Sequence, residues 1–468
     1  MSQKKIFWKE SKISEVISNI KPRLSYGVNG NVNGIGNFDI YGIYKQIGAG
    51  NYDGATAYYN SSLINTGLRW EQSRSFEAGL DLGFFNNRLS FIFDYYNRTT
   101  DDLLTDVNLP AYTGFSSMKT NLGKLRNSGF EMEVRANILS NAKGFNWEVS
   151  ANLTSVSNKV LKLPTSDKPF NQIDGYEVAA GLYNPETGET PTKWIGGYRE
   201  GGKLGDMVGY VQNHIFRDWN DVKANANMVI DEVANLYGPG MANEINPQTG
   251  VTYAESNGWK PIEPGDVCWE DINKDGKINS LDRAVVGNIF PKVTGGFSTT
   301  LSYKNWSLYA RFDYALGHTI YNDLKARSLG QYQGQFNIID KVHDTWSETN
   351  PDTDLPVFTY ADQLNKKNIT RSNNGNTAVD NNSSRFYEKG DYLALREITL
   401  SYSLPKKWIG KAGMQDASVY VTGQNLFYIT GYDGVSPEPA VSTVYGRGID
   451  NGRYPTPRTL LFGLSVTF

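Results

Sequence analysis

Cysteine is almost absent: Cys268 stands alone in 468 residues, so no internal disulfide holds the chain, and cysteine usage leaves the redox compartment open. Histidine is nearly as scarce. His214, His318 and His343 are scattered and offer no His-x-x-x-His or Cys/His spacing of the kind that binds zinc. No run of about 18 apolar residues occurs, which excludes a transmembrane helix. An excess of one charge is missing too. Lys and Arg number 46 against 49 Asp and Glu, a net −3, with no run of like charges, so no nucleic-acid partner is indicated. The opening MSQKKIFWKESKISEVISNIKP has lysines but neither an apolar h-region nor a cleavage site, and so is not a secretory signal. The chain is then either cytosolic or the later portion of a longer protein, and its strands decide between the two.

What the chain does have is aromatic rings, 29 Tyr, 21 Phe and 10 Trp, at a mean hydropathy of −0.47. Such rings tolerate both water and an apolar phase. They fall in a regular pattern. FEAGLDLGF puts Phe76, Ala78, Leu80, Leu82 and Phe84 on one face, and LSFIFDYY does the same with Leu89, Phe91, Phe93 and Tyr95. GFEMEVRANI sets Phe130, Met132, Val134, Ala136 and Ile138 against Glu131, Glu133, Arg135 and Asn137. FNWEVSANL sets Phe145, Trp147, Val149, Ala151 and Leu153 against Asn146, Glu148, Ser150 and Asn152. Period two is the signature of strands.

A soluble antiparallel sandwich would alternate in the same way. Three features argue for a membrane barrel instead. Many runs are nine to eleven residues long, and ten tilted residues rise roughly 23 Å, the height of an outer-membrane apolar band. Ten strands are predicted, at about 22–30, 74–84, 88–98, 120–138, 145–155, 294–303, 306–315, 391–404, 417–428 and 458–468. Their connections alternate between short (FNNR, SNAKG, KN, PKKWIGKAGMQD) and long, at about 31–73, 99–119, 156–293, 316–390 and 429–457. Short turns on one side and long loops on the other mark bacterial outer-membrane barrels, whose long loops lie outside the cell. The chain also ends on RTLLFGLSVTF, with Leu460, Phe462, Leu464, Val466 and Phe468 on one face. A barrel can set such an aromatic end at the bilayer interface. Apolar faces are expected to meet outer-membrane lipid, and polar faces a wet lumen.

DINKDGKINSLD (271–282) interrupts this pattern. Oxygen-bearing side chains stand at loop positions 1, 3, 5, 9 and 12, with glycine at 6, the ligand order of a twelve-residue calcium loop. Asp271, Asn273 and Asp275 would give side-chain oxygens and Lys277 its carbonyl. Asn279 would bind directly or through water, and Asp282 would complete the shell around a structural Ca2+. An ion-free Asp/Asn/Gly turn is the plain alternative. A dockerin-like module is the sharper rival, but it needs a second loop, and none is found. An ion here would staple a long extracellular loop.

The same residues resemble the SusC/RagA-type TonB-dependent outer-membrane transporters over nearly the whole chain. LRWEQSRSFEAGLDLGFFNNRLSFIFDYYNRTTDDLL is similar to that family's W-E-x-(S/T)-x-x-x-(N/E)-x-G-x-D stretch and the Y-Y-x-R-x-T-x-D-x-L after it, and NLGKLRNSGFEMEV to its N-x-G-x-x-x-N-x-G-x-E segment. WSETNPDTDLP, YLALREITLSYSLP and VYVTGQNLFYITGYDGVSPE resemble three further blocks, although Ser436 stands where the last usually has Asp. The resemblance implies a signal peptide, often a carboxypeptidase-like domain, a TonB box, a plug and a barrel of about 22 strands. None of the first four is found in the sequence. The expected fold is therefore all-β: the C-terminal portion of a TonB-dependent receptor barrel over 22–468, entered from a periplasmic turn at 1–21. The resemblance further implies import of a glycan or peptide, captured by a SusD-type lipoprotein at the outer mouth and driven by the TonB complex.

Other signals are weak. Gly34 and Gly36 do not sit in a βαβ phosphate cradle. Glu131 and Glu133 read as wet wall rather than a glycosidase pair. FNIIDKVHDTW suggests a short amphipathic helix through Ile339, Val342 and Trp346. No catalytic residue is found, and no enzyme is expected. A secreted, soluble calcium- and carbohydrate-binding β protein is the alternative. An isolated open sheet is expected to aggregate through its edges and apolar wall.

Overall fold

The computed structural model describes residues 16–36, 39–42, 44–52, 55–61, 63–331, 339–358, 383–438, 448–452 and 454–468. Ten strands form one antiparallel sheet in simple chain order: β1 (Ile17–Asn31), β2 (Glu71–Phe84), β3 (Leu89–Asn108), β4 (Ser117–Ala142), β5 (Phe145–Lys162), β6 (Val293–Tyr303), β7 (Trp306–Leu316), β8 (Tyr392–Ser403), β9 (Asp416–Thr430) and β10 (Thr459–Thr467). All ten expected strands are present, several longer than expected.

The pairing register lines the apolar residues up across strands. Ile20 pairs with Leu82, Leu82 with Phe91, Phe91 with Val134, and Val134 with Ala151. The row continues through Phe297, Phe312 and Leu395 to Phe427. A one-residue slip anywhere would turn a strand's apolar set to the other face, so this unbroken row fixes one sidedness for nine strands. The apolar face is largely uncovered on interior strands as well as at the edges: Phe76 is 42% exposed, Trp147 39% and Phe427 42%, with Leu395 a buried exception. A sandwich would bury these rows, and their exposure removes that alternative. Towards the short-turn end of the same face, Phe145 stacks on Tyr303 at 4.1 Å and Trp306 lies 4.7 Å from Tyr402, as in an interfacial aromatic girdle.

Short connections join the strands at that end, tight turns except between β8 and β9, where Lys406–Ile409 forms one helical turn. Lys143 and Gly144 both have positive φ (54° and 88°), the geometry that matches strand twist in a two-residue hairpin. The structure differs from the sequence expectation in three places, two on the long-loop side and one at the start of the chain. Residues 99–119 are mostly strand, with only 109–116 left as a connection. The polar run RTTDDLLTDVN lacks an apolar face, yet it pairs with β4 through register shifts at Leu103. The expected turn region at 1–21 gives way to β1 from Ile17, and residues 1–15 lie outside the described residues. The connection 31–73 contains a hairpin, Tyr44–Tyr52 with Ala55–Asn60.

Between β5 and β6 the chain builds a lobe with its own core. One cluster holds Phe216, Val222, Ala226, Leu236 and Ile262, and others form around Trp269 and Trp259. Helix α1 (Trp219–Ala226) starts where the Asp218 carboxylate accepts the Asp221 N–H at 2.9 Å, satisfying one free amide of the first turn. Val222 and Ala226, four residues apart, are its buried face. A three-stranded sheet of Thr319–Asn322, Tyr387–Lys389 and Ile449–Asp450 ties the last two long connections together. The expected helix at 336–346 is a 3-10 turn over Asp340–Asp344, with 336–338 outside the described residues. Trp346 packs on the lobe and donates its Nε1–H to the Arg217 carbonyl at 3.2 Å.

Candidate functional site

The polar face of the sheet carries two charged constellations. In the first, the Arg23 guanidinium on β1 reaches across β2, with Nε 2.9 Å from Asp81 and Nη2 2.8 Å from Asp94 on β3. It can do so because Gly79 lies beneath it: a β-carbon there would come within 3.1 Å of the guanidinium carbon. Arg23, Glu77, Asp94, Tyr96 and Glu131 line a groove of about 530 Å³ on this face. Hydroxyl, carboxylate and guanidinium groups stand side by side there, so the groove offers both hydrogen-bond donors and acceptors.

The second gathers at a double irregularity. Arg396 is skipped in the pairing of β8 with both neighbours, which frees its side chain to turn onto the polar face. Its Nε donates to Asp313 at 3.0 Å and its Nη1 to the Tyr428 hydroxyl at 3.2 Å. Its Nη2 binds Glu438, which also accepts from Tyr428 at 3.2 Å. Residues 431–438 are thus drawn back over the wall. His318 Nε2–H adds a hydrogen bond to the Pro437 carbonyl at 3.3 Å. Further out, Asp433 accepts from Lys341 at 2.6 Å and meets Lys325 at 3.0 Å. Those two ammonium groups hold its carboxyl below the usual carboxylate range. Neither constellation was singled out from sequence, although Glu438 ends one of the family-like blocks; partners 125 residues apart (Asp313 and Glu438) leave no local pattern.

In the third candidate, 271–282, the turn is as expected. Gly276 has φ +80°, and the Asp271 carboxylate accepts the N–H groups of Lys274 at 2.7 Å and Gly276 at 2.9 Å. Asn273 Nδ2 reaches Asp275 at 3.1 Å, and Ile278 is buried as a pin. Asp271, Asn273 and Asp275 therefore share one loop. Asn279 and Asp282 form a reciprocal cap: Asn279 Oδ1 accepts the Leu281 N–H at 2.8 Å, and Asp282 accepts those of Asn279 at 2.8 Å and Ile272 at 2.9 Å. Lys277 lies in a two-residue strand paired with Ile230. Burial pushes the Asp282 carboxyl up to about 6, and the Asp271 and Asp275 charges add to the push against the Asn279 and Ile272 amides. An oxygen-rich loop with mutually repelling carboxylates suits a hard divalent cation. Among the described residues, no three His, Cys, Asp or Glu side chains already stand at ion-holding distance.

Comparison with known proteins gives the chain its relatives. A family model described as TonB dependent receptor-like, beta-barrel, matches residues 8–226. TonB-dependent receptor P3 of Formosa agariphila is 30% identical over 467 residues, which cover 98% of this chain and 40% of that protein. TonB-dependent receptor SusC of Bacteroides thetaiotaomicron is 28% identical over 462 residues, or 97% of this chain and 38% of that protein. A solved structure of the RagAB peptide transporter superposes with a TM-score of 0.67 at 24% identity, covering 99% of this chain and 42% of that one, a likeness of fold. The chain thus spans about two fifths of the length of the relatives it matches. They are named as receptors, not enzymes. Wall, register and relatives agree: the chain carries a TonB-dependent receptor-like β-barrel domain of the outer membrane, similar in sequence to receptors that include SusC.

Proposed function

We propose that this chain forms part of the wall of a TonB-dependent importer, and that it works with a SusD-type surface lipoprotein to bring oligosaccharides or peptides across the outer membrane. The observation that carries the reading is the unbroken apolar row from Ile20 to Phe427 on one face of the sheet. The other face bears the Arg23 and Arg396 constellations. Such a wall excludes lipid from a polar passage. The long connections lie on the cell-exterior side, where the lobe and the tied-down 431–438 segment meet the lipoprotein and its cargo. Energy comes from the TonB complex through parts of the receptor other than this wall. The fold likeness to a peptide transporter puts peptides among the cargo classes to be tested.

The test is deletion of the gene in its host, with growth measured on single oligosaccharide or peptide sources, and purification of the receptor in mild detergent. Loss of growth on one such source and co-purification of a lipoprotein are expected. Undiminished growth on all of them, with the receptor isolated alone, would overturn the proposal.

Within this reading, Asp271, Asn273, Asp275, Lys277, Asn279 and Asp282 hold a structural Ca2+. The raised Asp282 carboxyl supports it, because a bound cation would offset the cost of burying that charge. The ion would brace the lobe and take no part in transport chemistry.

A further inference from the structure

The apolar face changes character in graded steps towards the long-loop margin of β2–β5. The last mainly apolar level is Ala78, Tyr95 and Phe130, paired in register, with Ser155 next to Phe130 on β5. One level up, Phe76 pairs with Asn97, Asn97 with Ser128, and Ser128 with Ser157. Above that, Arg74 pairs with Thr99, Thr99 with Arg126, and Arg126 with Lys159. No register shift intervenes, so all three levels face the same way, each about 7 Å along the strand from the next. The wall thus runs from hydrocarbon-like to hydrogen-bonding to cationic.

The cationic level is in excess of its acids. Arg74 and Lys124 share one carboxylate, Asp101, at 3.3 and 2.7 Å. Lys162, opposite Lys124 in the register, has Glu200 nearby. Among the described residues, Arg126 and Lys159 have no ion-pair partner in the structure. Two adjacent cations left unneutralised on the lipid side of a membrane wall repel one another, unless something anionic joins them from that side. The same levels are not repeated on β6–β10. There the sheet is shorter, and β6 begins at Val293, opposite Ser155.

We infer that Arg74, Lys124, Arg126 and Lys159 dock the headgroup of a phosphate-bearing lipid from the leaflet on the long-loop side. The acyl chains lie on the Tyr95–Phe130 level, ester or amide groups meet Asn97, Ser128 and Ser157, and the phosphate sits between Arg126 and Lys159. Charge complementarity and continuity with the apolar wall both favour a lipid over a free anion, since a soluble phosphate would use only the top level. The inference rests on the sheet being a membrane wall. The docked lipid would seal the tall β2–β5 segment against the membrane beneath the loops.

The test is native mass spectrometry of the intact receptor in detergent, titrated with bisphosphorylated lipid A, its phosphate-free form, or inorganic phosphate. In the Arg126→Gln/Lys159→Gln variant, affinity for the bisphosphorylated lipid should fall roughly thirtyfold, with the phosphate-free lipid unaffected. A Lys143→Gln/Lys407→Gln control at the short-turn margin should bind like the parent. Heat-modifiable migration on gels establishes that each variant is folded. Unchanged affinity in a folded, membrane-embedded variant overturns the inference and leaves the wall intact, as does full displacement by millimolar inorganic phosphate. A receptor missing from the membrane fraction sinks the wall reading, and this inference with it.

Discussion

Tyr96 on β3 lies directly opposite Gly129 on β4, with its hydroxyl 2.9 Å from where a β-carbon at 129 would stand. The arrangement recurs: Tyr314 faces Gly295, and Tyr420 faces Gly463. In each pair the bare glycine lets the phenol ring lie flat across the neighbouring strand, covering backbone that would otherwise be open. At 129 there is no way around the clash, because a β-carbon would also strike the Ser155 carbonyl on β5.

Gly129→Ala should therefore cost about 1–3 kcal/mol, as overpacking does, seen as a lower unfolding temperature of the heat-modifiable band. Gly463→Ala should cost less, since the obstacle there is the Tyr420 ring, which is 40% exposed and free to swing. Equal effects of the two substitutions would contradict this.

Phe297 and Ser298 are adjacent near the middle of β6 but face opposite sides. Phe297 sits in the apolar row, while Ser298 hydrogen-bonds Ser150 at 2.8 Å on the polar face. Phe297→Arg should destabilise the membrane-embedded barrel by about 2–4 kcal/mol, and Ser298→Arg by much less. Urea unfolding in lipid vesicles measures both.

Calcium removal should loosen only the lobe. With a chelator, proteolysis within 217–290 should accelerate several-fold while the wall strands survive; identical cleavage with and without chelator would count against an ion.

Acid should release the 431–438 segment. Its ties to Lys341 and Lys325 hold the Asp433 carboxyl below its ordinary 3.8. The stabilisation is therefore complete above that pH and is lost as pH falls through the depressed value. Pepsin cleavage near 433 should rise between pH 4 and pH 2, and Lys341→Gln should move the rise to higher pH. A pH-independent cleavage rate would contradict the role given to this pair.

The ten wall strands were legible because many carry long period-two alternation, as in Phe145–Leu153, and because short and long connections alternate between them. The lobe was not. Its strands include pairs as short as Ile230–Asp231 and Leu236–Tyr237, too brief to show a period. The upper part of β3, beyond residue 98, was missed because its pairing runs through polar residues above the apolar band. The turn at 271–282 could be read because all its oxygens lie within twelve residues. The Arg396 constellation and the cationic level could not, since Arg74, Arg126 and Lys159 become neighbours only once the register is known.

The most direct test is site-directed spin labelling along 293–303 in lipid vesicles, with Cys268→Ser as background. Labels at 295, 297, 299 and 301 should relax with oxygen dissolved in the bilayer, and labels at 296, 298, 300 and 302 with a water-soluble nickel chelate. Equal access of both quenchers at every position, or protection of the odd positions from both, would mean that these faces do not meet lipid.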